Sequence, residues 1–373
     1  INRWVYQYAP CYMDNWHCGR RVGRGRPSPC VELITVEVVR NILESLLVYI
    51  KKRKNHPQEP FRVDATDGIP RIKGDFKLSV IYSGIECESY NPLRRKSFEY
   101  GNFYETLTTM EGLRVSEYPF DAIVGMGKKR WNARLLETIR REKPDVFFGF
   151  MYTDEFDRKT LDAIKKTTKS IAWFADDHWR LHNYSRFYAP HFTKAVTTWS
   201  KAPERYLRYG ITNVIRSQWA LNHKIWKPMD TPRDIGVSFV GQYNEARGRI
   251  VNELRRAGVD VWVRGWGWPE GRLTQTEMVC AFSRSKINLN FNTPPSQWRP
   301  KLLGRLFFRR SLDKVVPDLI HVKDNIHSWV NMKIPQIKAR PFEILGCRTF
   351  LISAFADDMD SYYRDGEEIV YYD

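Results

Sequence analysis

Short apolar runs alternate with amphipathic segments from residue 76 onward. Runs such as "FKLSVIYSG", "PDVFFGFM" and "KSIAWFADD" have the length and composition of buried strands, and "YPFDAIVGMG" predicts a further strand region. Segments such as "WNARLLETIRREK" and "DRKTLDAIKKTT" repeat apolar positions at intervals of three and four, which predicts helices between the strands. This alternation is typical of a doubly wound parallel sheet.

The pattern is interrupted at 222–234, "NHKIWKPMDTPRD", where the Pro and Asp content predicts a linker. It restarts with "DIGVSFVGQ" and continues to "ARPFEILGCRTFLIS". We therefore predict an α/β fold with two Rossmann-like doubly wound domains, at 76–225 and 226–373, that face each other across a cleft. Ligands of such sheets bind beyond the carboxyl ends of the strands, so the cleft is the expected site.

Residues 1–75 form a predicted N-terminal extension. Within it, 31–54 repeats apolar positions at helical spacing and predicts one long amphipathic helix. Cys11, His17, Cys18 and Cys30 precede this helix and could supply four zinc ligands, but their spacing matches no standard zinc finger or ribbon. Unpaired structural thiols are the favoured alternative, and we expect no metal.

Composition narrows the class of protein. A chain of 373 residues with 42% hydrophobic and 14% aromatic residues is expected to be globular, with two or three domains. No apolar run reaches the length of about 18 residues that a membrane-spanning helix needs, and no signal peptide is recognisable. Cysteines in isolated apolar contexts favour a reducing compartment, so we expect a cytoplasmic protein.

The net charge of +17 favours anionic partners, which include nucleic acid, an anionic membrane surface and phosphate-bearing small molecules. Basic residues are spread along the chain and interrupted by acidic ones. Nucleic acid is therefore a less favoured partner than a phosphate-bearing small molecule.

Two stretches are candidates for binding a nucleotide. In "VSFVGQYNEARGRIVNELRRAG" a predicted strand ends at Gly241 and a helix begins near Ala246 with Arg247 in its first turn, which suits a diphosphate. The stretch has no G-x-G-x-x-G spacing, so an ordinary strand-loop-helix unit is the favoured interpretation from spacing alone.

In "IKARPFEILGCRTFLIS" a helix is expected from Arg340, with Glu343 placed to accept hydrogen bonds from ribose hydroxyls. Lys338 and Arg340 would face the phosphates, and Gly346 would allow close approach of the backbone. The alternative is a carboxylate that caps the helix, with two solvated basic residues beside it.

Several separated blocks resemble one known family. "WFADDHWR", "SFVGQYNEARGRIVNELRRAGVDVWVRGWGW", "SKINLNFN", "QIKARPFEILGCRTFLIS" and "DGEEIVYYD" occur in an order similar to that of the CgeB-like glycosyltransferases (spore maturation protein CgeB), over about residues 76–373. The resemblance implies the GT-B fold, a nucleotide-diphosphate sugar held by the C-terminal domain and an acceptor held by the N-terminal domain.

The chain departs from that family in three places. Many GT-B enzymes have a second glutamate eight positions before the one that matches Glu343, and Pro335 stands there in this chain. The sequence stops at Asp373, where the family continues with helices that close the second domain. A stretch at about 294–335 is longer than the family leads us to expect, and an acceptor or partner element and a basic surface loop are both open interpretations.

"SIAWFADDHWR" supplies the candidate catalytic residues. Asp176 and Asp177 follow a predicted strand, where burial and mutual repulsion could raise the pKa of one carboxyl toward that of a useful base, and we favour Asp177. His178 is a second candidate, with a pKa near neutrality. In the alternative, Asp176 caps the following turn and Asp177 pairs with Arg180. The adjacent aspartates also suggest a metal-binding motif, but resemblance to GT-B enzymes implies a site that works without metal.

The favoured function is sugar transfer from a nucleotide-diphosphate sugar to an unidentified acceptor, with no other cofactor. Arg247, Lys338 and Arg340 would stabilise the leaving diphosphate, and an aspartate would bind or deprotonate the acceptor. The alternative is a non-catalytic GT-B-like protein that docks on nucleic acid or a larger assembly through its basic surface.

Overall fold

The structure, a computed structural model, describes residues 78–292 and 300–372, except for the side chains of residues 300 and 301. The predicted extension at 1–75, its amphipathic helix and its candidate zinc ligands lie outside these residues. Residues 245–262 are assigned to a separate compact unit and are described by themselves, and the other described residues belong to one unit.

A parallel sheet of six strands is built from the first part of the chain, in the order β2-β1-β3-β4-β5-β6. Its strands are β1 (Leu78–Ser83), β2 (Leu113–Glu117), β3 (Val146–Phe150), β4 (Lys169–Phe174), β5 (Lys194–Thr197) and β6 (Val214–Arg216). The helices between them are α1 (Glu105–Thr108), α2 (Ala122–Met126), α3 (Lys128–Glu142), α4 (Arg158–Thr167), α5 (Asp177–Arg180), α6 (Arg186–Tyr188) and α7 (Ala202–Leu207). Two π-helical segments, Tyr100–Tyr104 and Leu181–Ser185, precede α1 and α6.

Apolar spacing explains how the helices pack on this sheet. α3 buries Trp131, Leu135 and Ile139, which recur every four residues and therefore share one face. They join one core cluster with Phe147 of β3 and Leu161 of α4. Each such buried side chain stabilises the fold by about 1.5–3 kcal/mol relative to exposure.

One predicted strand is wrong. The region 118–127 was expected to be a strand, but its residues Ala122–Met126 form α2, and the strand lies earlier, at β2. The burial of β2 alternates between half-buried and exposed residues, because it is an edge strand of the sheet.

A second sheet of five strands follows, in the order β13-β12-β9-β7-β8. Its strands are β7 (Ile235–Val240), β8 (Val261–Arg264), β9 (Ser285–Asn290), β12 (Phe350–Ala354) and β13 (Val370–Tyr372). Helices α9 (Gln275–Arg284) and α12 (Ala339–Gly346) accompany this sheet, and α8 (Glu245–Arg256) belongs to the separate unit 245–262. β7, β9, β12 and β13 pair in parallel.

The second sheet repeats the order of the first five strands of the first sheet. In each, the first strand lies between the second and the third, so the direction of winding reverses between β1 and β3 and between β7 and β9. Such switch points open a crevice at the carboxyl ends of the strands. The prediction of two Rossmann-like doubly wound sheets is confirmed.

The long stretch before α12 forms structure of its own. It contains α10 (Pro300–Leu303), a hairpin of β10 (Phe308–Ser311) and β11 (Lys314–Pro317), and α11 (Val322–Asn331). α11 contacts the region of the first sheet: Arg186 Nη2 lies 2.7 Å from Asp324 Oδ2, and Asn183 Nδ2 donates to Asn325 Oδ1 at 2.8 Å. We call residues 300–334 the inserted segment, and its contacts show that it is docked rather than free.

No helix among the residues described is long and apolar enough to cross a membrane.

Candidate functional site

An aspartate at the end of β4 forms an ion pair with a lysine at the start of α12. β4 ends at Phe174 and α5 begins at Asp177, so Asp176 occupies the N-cap position. Its side chain does not cap the helix, because Oδ1 accepts a 2.8 Å hydrogen bond from Lys338 Nζ. The N–H groups of Trp179 and Arg180 donate to the main-chain oxygen of Asp176 instead. The alternative in which the Asp176 side chain caps the turn is therefore wrong.

Gln336, which the sequence analysis missed, fixes the residues before α12 against the first sheet. Its buried side-chain amide donates to the Ala175 carbonyl oxygen at 2.8 Å and to Thr198 Oγ1 at 2.7 Å. Its Oε1 accepts a 3.1 Å hydrogen bond from Lys338 Nζ. Lys338 is thus held between Gln336 and Asp176, although its side chain is half exposed.

The charge environment keeps the Asp176 carboxylate ionised. Burial alone would raise the pKa of Asp176, but the Lys338 ammonium, the neighbouring His178 and the hydrogen bond from Lys338 together hold this pKa well below its usual range. About a third of the side chain, 32%, is exposed. A carboxylate in this state is a weak base as long as Lys338 stays in contact with it.

Asp177 has the opposite environment. Its side chain is fully buried, and Oδ2 accepts a 3.0 Å hydrogen bond from the Tyr206 hydroxyl. Burial, partly offset by hydrogen bonds from Ser185, Thr197 and Tyr206, raises the pKa of Asp177 to about 6. The predicted increase of one carboxyl pKa is therefore present, but at a side chain that solvent does not reach.

Arg180 does not pair with Asp177, contrary to the alternative considered for this stretch. Its Nη2 donates to the Tyr152 carbonyl oxygen at 2.7 Å, and its guanidinium lies 3.9 Å from the centre of the Tyr184 ring.

His178 is buried, with 5% of its surface exposed. Burial and the positive charge of Lys338 lower its pKa to about 3, against a smaller opposing effect of Asp176. The expectation of a pKa near neutrality is wrong, because a buried imidazolium loses its hydration. A neutral imidazole of this kind is a poor general base near neutral pH.

Two further charged side chains belong to the surroundings of Asp176. Arg305, in the inserted segment, places its guanidinium 4.9 Å from the centre of the Trp179 ring. Burial and the nearby charge of Arg180 lower the pKa of Arg305, while Asp176 raises it. Burial raises the pKa of Glu99, and the negative charge of Asp176 adds to this rise. Neither residue was singled out from the sequence, because both lie far from residue 176 along the chain.

On α12, the predicted ribose ligand forms an ion pair within its own helix. Glu343 has 1% of its surface exposed, and its Oε2 accepts a 2.7 Å hydrogen bond from Arg340 Nη1. Burial raises the pKa of Glu343, and Arg340 opposes the rise. The Arg340 guanidinium also lies 5.4 Å from the centre of the Phe282 ring in α9. Contact with ribose stays a prediction, and it requires this pair to rearrange.

The predicted glycines approach other parts of the protein closely. A Cβ atom on Gly346 would lie 2.6 Å from Leu221 Cδ2 and 3.0 Å from the Trp226 carbonyl oxygen. Gly241 directly follows β7, and a Cβ atom on it would lie 2.7 Å from Phe239 Cζ. Both close approaches are to protein atoms, so packing alone accounts for these glycines.

Arg247 lies in the first turn of α8, as predicted from the sequence. Its role in binding a diphosphate stays a prediction.

A cavity of about 810 Å³ adjoins the segments after β1 and β2. Glu86, Cys87, Lys96 and Asp121 are among its lining residues, whereas Asp176 and Lys338 are not. The cavity therefore does not coincide with the residues predicted to carry the chemistry.

Within the described ranges, 78–292 and 300–372, no three His, Cys, Asp or Glu side chains are grouped closely enough to hold a metal ion.

Comparison of the sequence with models of protein families and with curated proteins gave no match. Among solved structures, a sucrose-phosphate synthase from Thermosynechococcus elongatus aligns with 79% of this chain and 86% of its own, at 6% identity and a TM-score of 0.48. Anabaena HepE in complex with UDP aligns with 79% of this chain and 85% of its own, at 7% identity and a TM-score of 0.44. A glycosyltransferase from Rickettsia africae aligns with 79% and 84%, at 9% identity and a TM-score of 0.41. At these values the matches carry no argument about activity, and the fold described above rests on the strand order and register of this chain.

Proposed function

We propose that the protein is a GT-B glycosyltransferase that moves a sugar from a nucleotide-diphosphate sugar to an acceptor hydroxyl. The observation that carries the proposal is the ion pair between Asp176, at the carboxyl end of β4, and Lys338, at the start of α12. In this pair, the Asp176 carboxylate, which follows a strand of the first sheet, meets the Lys338 ammonium, which precedes a helix of the second sheet. The pair lies beyond the carboxyl end of β4, and ligands of such sheets bind beyond the carboxyl ends of the strands.

In this proposal Lys338 contacts the leaving diphosphate. Its ammonium group is half exposed, and it lies at the N-terminal end of α12, where main-chain N–H groups without intrahelical partners favour an anion. Arg340 is one residue into the same helix, and Arg247 stands in the first turn of α8. Positive groups of this kind stabilise the charge that develops on a departing diphosphate.

Asp176 then acts on the acceptor hydroxyl. While the donor is absent, Lys338 keeps the pKa of this carboxyl low, so the carboxylate is a weak base. When Lys338 turns to the diphosphate, the carboxylate loses its main counter-charge, and burial then raises its pKa. Donor binding thus prepares the base, and a donor-first order of binding follows from this coupling.

Asp177 has a different role in the proposal. Its buried carboxyl group accepts a hydrogen bond from the Tyr206 hydroxyl. This bond holds the turn that contains Asp176 in place. We therefore propose Asp176, and not the predicted Asp177, as the general base. A general base must reach the proton that it removes, and the side chain of Asp177 is fully buried.

Calorimetric titration with a panel of nucleosides, nucleoside diphosphates and nucleotide-diphosphate sugars tests the proposal. We expect Lys338→Met to weaken binding of a nucleoside diphosphate by about tenfold or more, as expected for a charge-assisted hydrogen bond worth about 1.5–3 kcal/mol, and to leave nucleoside binding nearly unchanged. Lys166→Met is the matched control, because Lys166 is an exposed lysine of α4. If no member of the panel binds the parent protein, or if both variants lose the same affinity, the proposal is wrong and a non-catalytic role on a larger assembly becomes the better explanation.

A further inference from the structure

A second cavity, of about 410 Å³, lies where the inserted segment meets the first sheet region. Its lining comes from the π-helical segment Leu181–Ser185, the end of α7 and α11. The lining residues are His182, Arg205, Arg208, Tyr209, His327 and Asn331. Each of these side chains can donate a hydrogen bond, and none of them carries a carboxylate.

The positive charges at this cavity are only partly balanced. Arg208 pairs with Glu204 at 2.6 Å, and both side chains are 72% exposed. Arg186 pairs with Asp324 at 2.7 Å beside the cavity. Arg205 has no ion pair within the described part of the chain, and its guanidinium lies 4.4 Å from the centre of the Trp199 ring. Among the described residues, the carboxylate that acts on the Arg205 charge is Glu204, and it is already paired with Arg208.

Two histidines from different segments face each other at the same place. The rings of His182 and His327 stack with centroids 5.2 Å apart and an angle of 29° between their planes. His182 Nδ1 is 2.8 Å from the Tyr209 hydroxyl. Burial, together with the effects of His327, Arg205 and Arg186 and against an opposing effect of Asp324, lowers the pKa of His182 to about 4. Protonation of the His182 imidazole is therefore unfavourable as long as no anion is bound beside it.

We propose that this cavity binds the phosphate group of a small molecule, at a site separate from the proposed glycosyl-transfer site. Arg205 and the two imidazoles supply charge, and Tyr209 and Asn331 supply neutral hydrogen-bond donors, a combination that matches a phosphate with its several acceptor oxygens. The cavity is larger than inorganic phosphate alone requires, so a phosphate monoester is the expected class of ligand. The inference does not depend on the proposed transferase activity.

Because His182 comes from the first sheet region and His327 from α11, a bound phosphate bridges the two. Protonation of His182 becomes favourable when the phosphate supplies a negative charge, so binding takes up protons. Because the pKa of His182 is about 4 in the free protein, the affinity is expected to rise as the pH falls from about 6 to 4, whereas an arginine-only site would show little dependence beyond that of the phosphate itself.

The test uses the full chain with histidine labelled with ¹³C. The sequence has eight histidines, and the signals of the two in the cavity are assigned from their loss in His182→Gln and His327→Gln. Titration with inorganic phosphate, and separately with a sugar phosphate, should shift these two signals and raise the pKa of His182 by roughly one to two units. Tighter binding of the sugar phosphate would identify a monoester as the ligand class, and equal binding would identify free phosphate.

Arg205→Gln should weaken phosphate binding by at least tenfold, and Arg140→Gln, which removes an exposed arginine of α3 outside the cavity, should leave it unchanged. Circular dichroism of both variants checks that they fold. If the His182 and His327 signals do not move, or if both arginine variants weaken binding equally, the inference is overturned.

Discussion

Two adjacent aspartates at one strand end have opposite environments. Successive side chains at the end of a strand point to opposite sides, so only one of the two carboxylates is expected to face the crevice. Alternation alone does not say which one. The deciding contacts, Lys338 at Asp176 and Tyr206 at Asp177, come from residues 162 and 29 positions away, which no local pattern reveals.

Asp176→Asn is expected to separate binding from turnover. Removing the carboxylate frees Lys338 from its partner, so affinity for a nucleoside diphosphate should stay the same or rise by up to about tenfold. Turnover with any acceptor found in the screen should fall by roughly a hundredfold or more, the usual contribution of a positioned base. Weaker diphosphate binding in this variant, measured by calorimetry, would contradict the proposed competition for Lys338.

Asp177→Asn should change the pH dependence of stability. The pKa of Asp177 is about 6 in the folded protein against 3.8 as its ordinary value, so its contribution to stability is fully present below about pH 4 and is lost as the pH rises through 6. The cost at neutral pH is roughly 3 kcal/mol, at 1.36 kcal/mol per pKa unit. The neutral Asn keeps an acceptor for Tyr206 and should make the protein more stable than the parent at pH 7.5, with the difference disappearing near pH 4.

Urea denaturation at several pH values measures this difference, and Asp145→Asn is a control of opposite sign. Hydrogen bonds from Ser79 lower the pKa of the exposed Asp145, so its contribution is present at neutral pH and is lost as the pH falls. A variant at Asp177 that is less stable than the parent at every pH would show that its hydrogen bonds outweigh the cost of burying its charge.

At the scale of elements, helices with clear apolar spacing were predictable and short or irregular ones were not. α3 and α4 lie close to their predicted positions, because one face of each is apolar. β2 was placed too late, since "LRVSE" is half charged and the more apolar stretch after it forms a helix. β5 was missed because its apolar run is only a few residues long.

α12 shows where site prediction from sequence reaches its limit. The helix itself and the positions of Arg340, Glu343 and Gly346 on it follow from the spacing. Whether Glu343 faces a ligand depends on what packs over it, and in the structure Arg340 binds Glu343 and itself lies against Met278 and Phe282 of α9. Partners supplied by a distant helix are not encoded in local spacing.

Gly346→Ala is expected to destabilise the protein by about 1–3 kcal/mol. The added methyl group would overlap Leu221 and approach the Trp226 carbonyl oxygen, and overpacking of this kind forces neighbours to move. Gly125→Ala is the matched control, because no atom lies within 4 Å of a Cβ at that position of α2, and it should be neutral or stabilising by up to about 1 kcal/mol. Thermal denaturation compares the two variants. A Gly346→Ala protein of normal stability that no longer binds a nucleoside diphosphate would instead support the predicted contact with the donor.

At the scale of the whole molecule, polar contacts and one apolar cluster connect the first sheet region to the second. Arg272 binds both carboxylate oxygens of Glu88, at 2.9 and 2.5 Å, and Arg216 pairs with Asp358. Ala339 of α12 packs in a cluster formed by side chains of the first sheet region, which are Tyr82, Phe150, Trp173, Val196 and Trp219. None of these pairings was predicted, because each joins residues more than a hundred positions apart.

The ion pairs among these contacts are about a third exposed and are therefore expected to be weak and sensitive to salt. Side chains of Arg272, Glu88, Arg216 and Asp358 are 38%, 32%, 35% and 28% exposed. Exposed pairs contribute about 0.2–1 kcal/mol each, so losing two of them should raise the population of any open form by roughly 2- to 30-fold. At 1 M salt the screening length is about 3 Å, so the population of the open form in the parent protein should rise by a similar factor.

Hydrogen exchange of residues 175–180 and 336–342 in the double variant Glu88→Gln, Asp358→Asn measures this opening. Exchange should be faster than in the parent at low salt and nearly equal to it at 1 M salt, because screening removes the same two pairs. Glu204→Gln is the control, since it removes an equally short ion pair that lies within α7 and its C-cap and joins nothing across the molecule. Equal acceleration in the control, or no acceleration in the double variant, would mean that these two ion pairs do not hold the sheet regions together and that the remaining contacts, among them the apolar cluster around Ala339 and the hydrogen bonds of Gln336, do so.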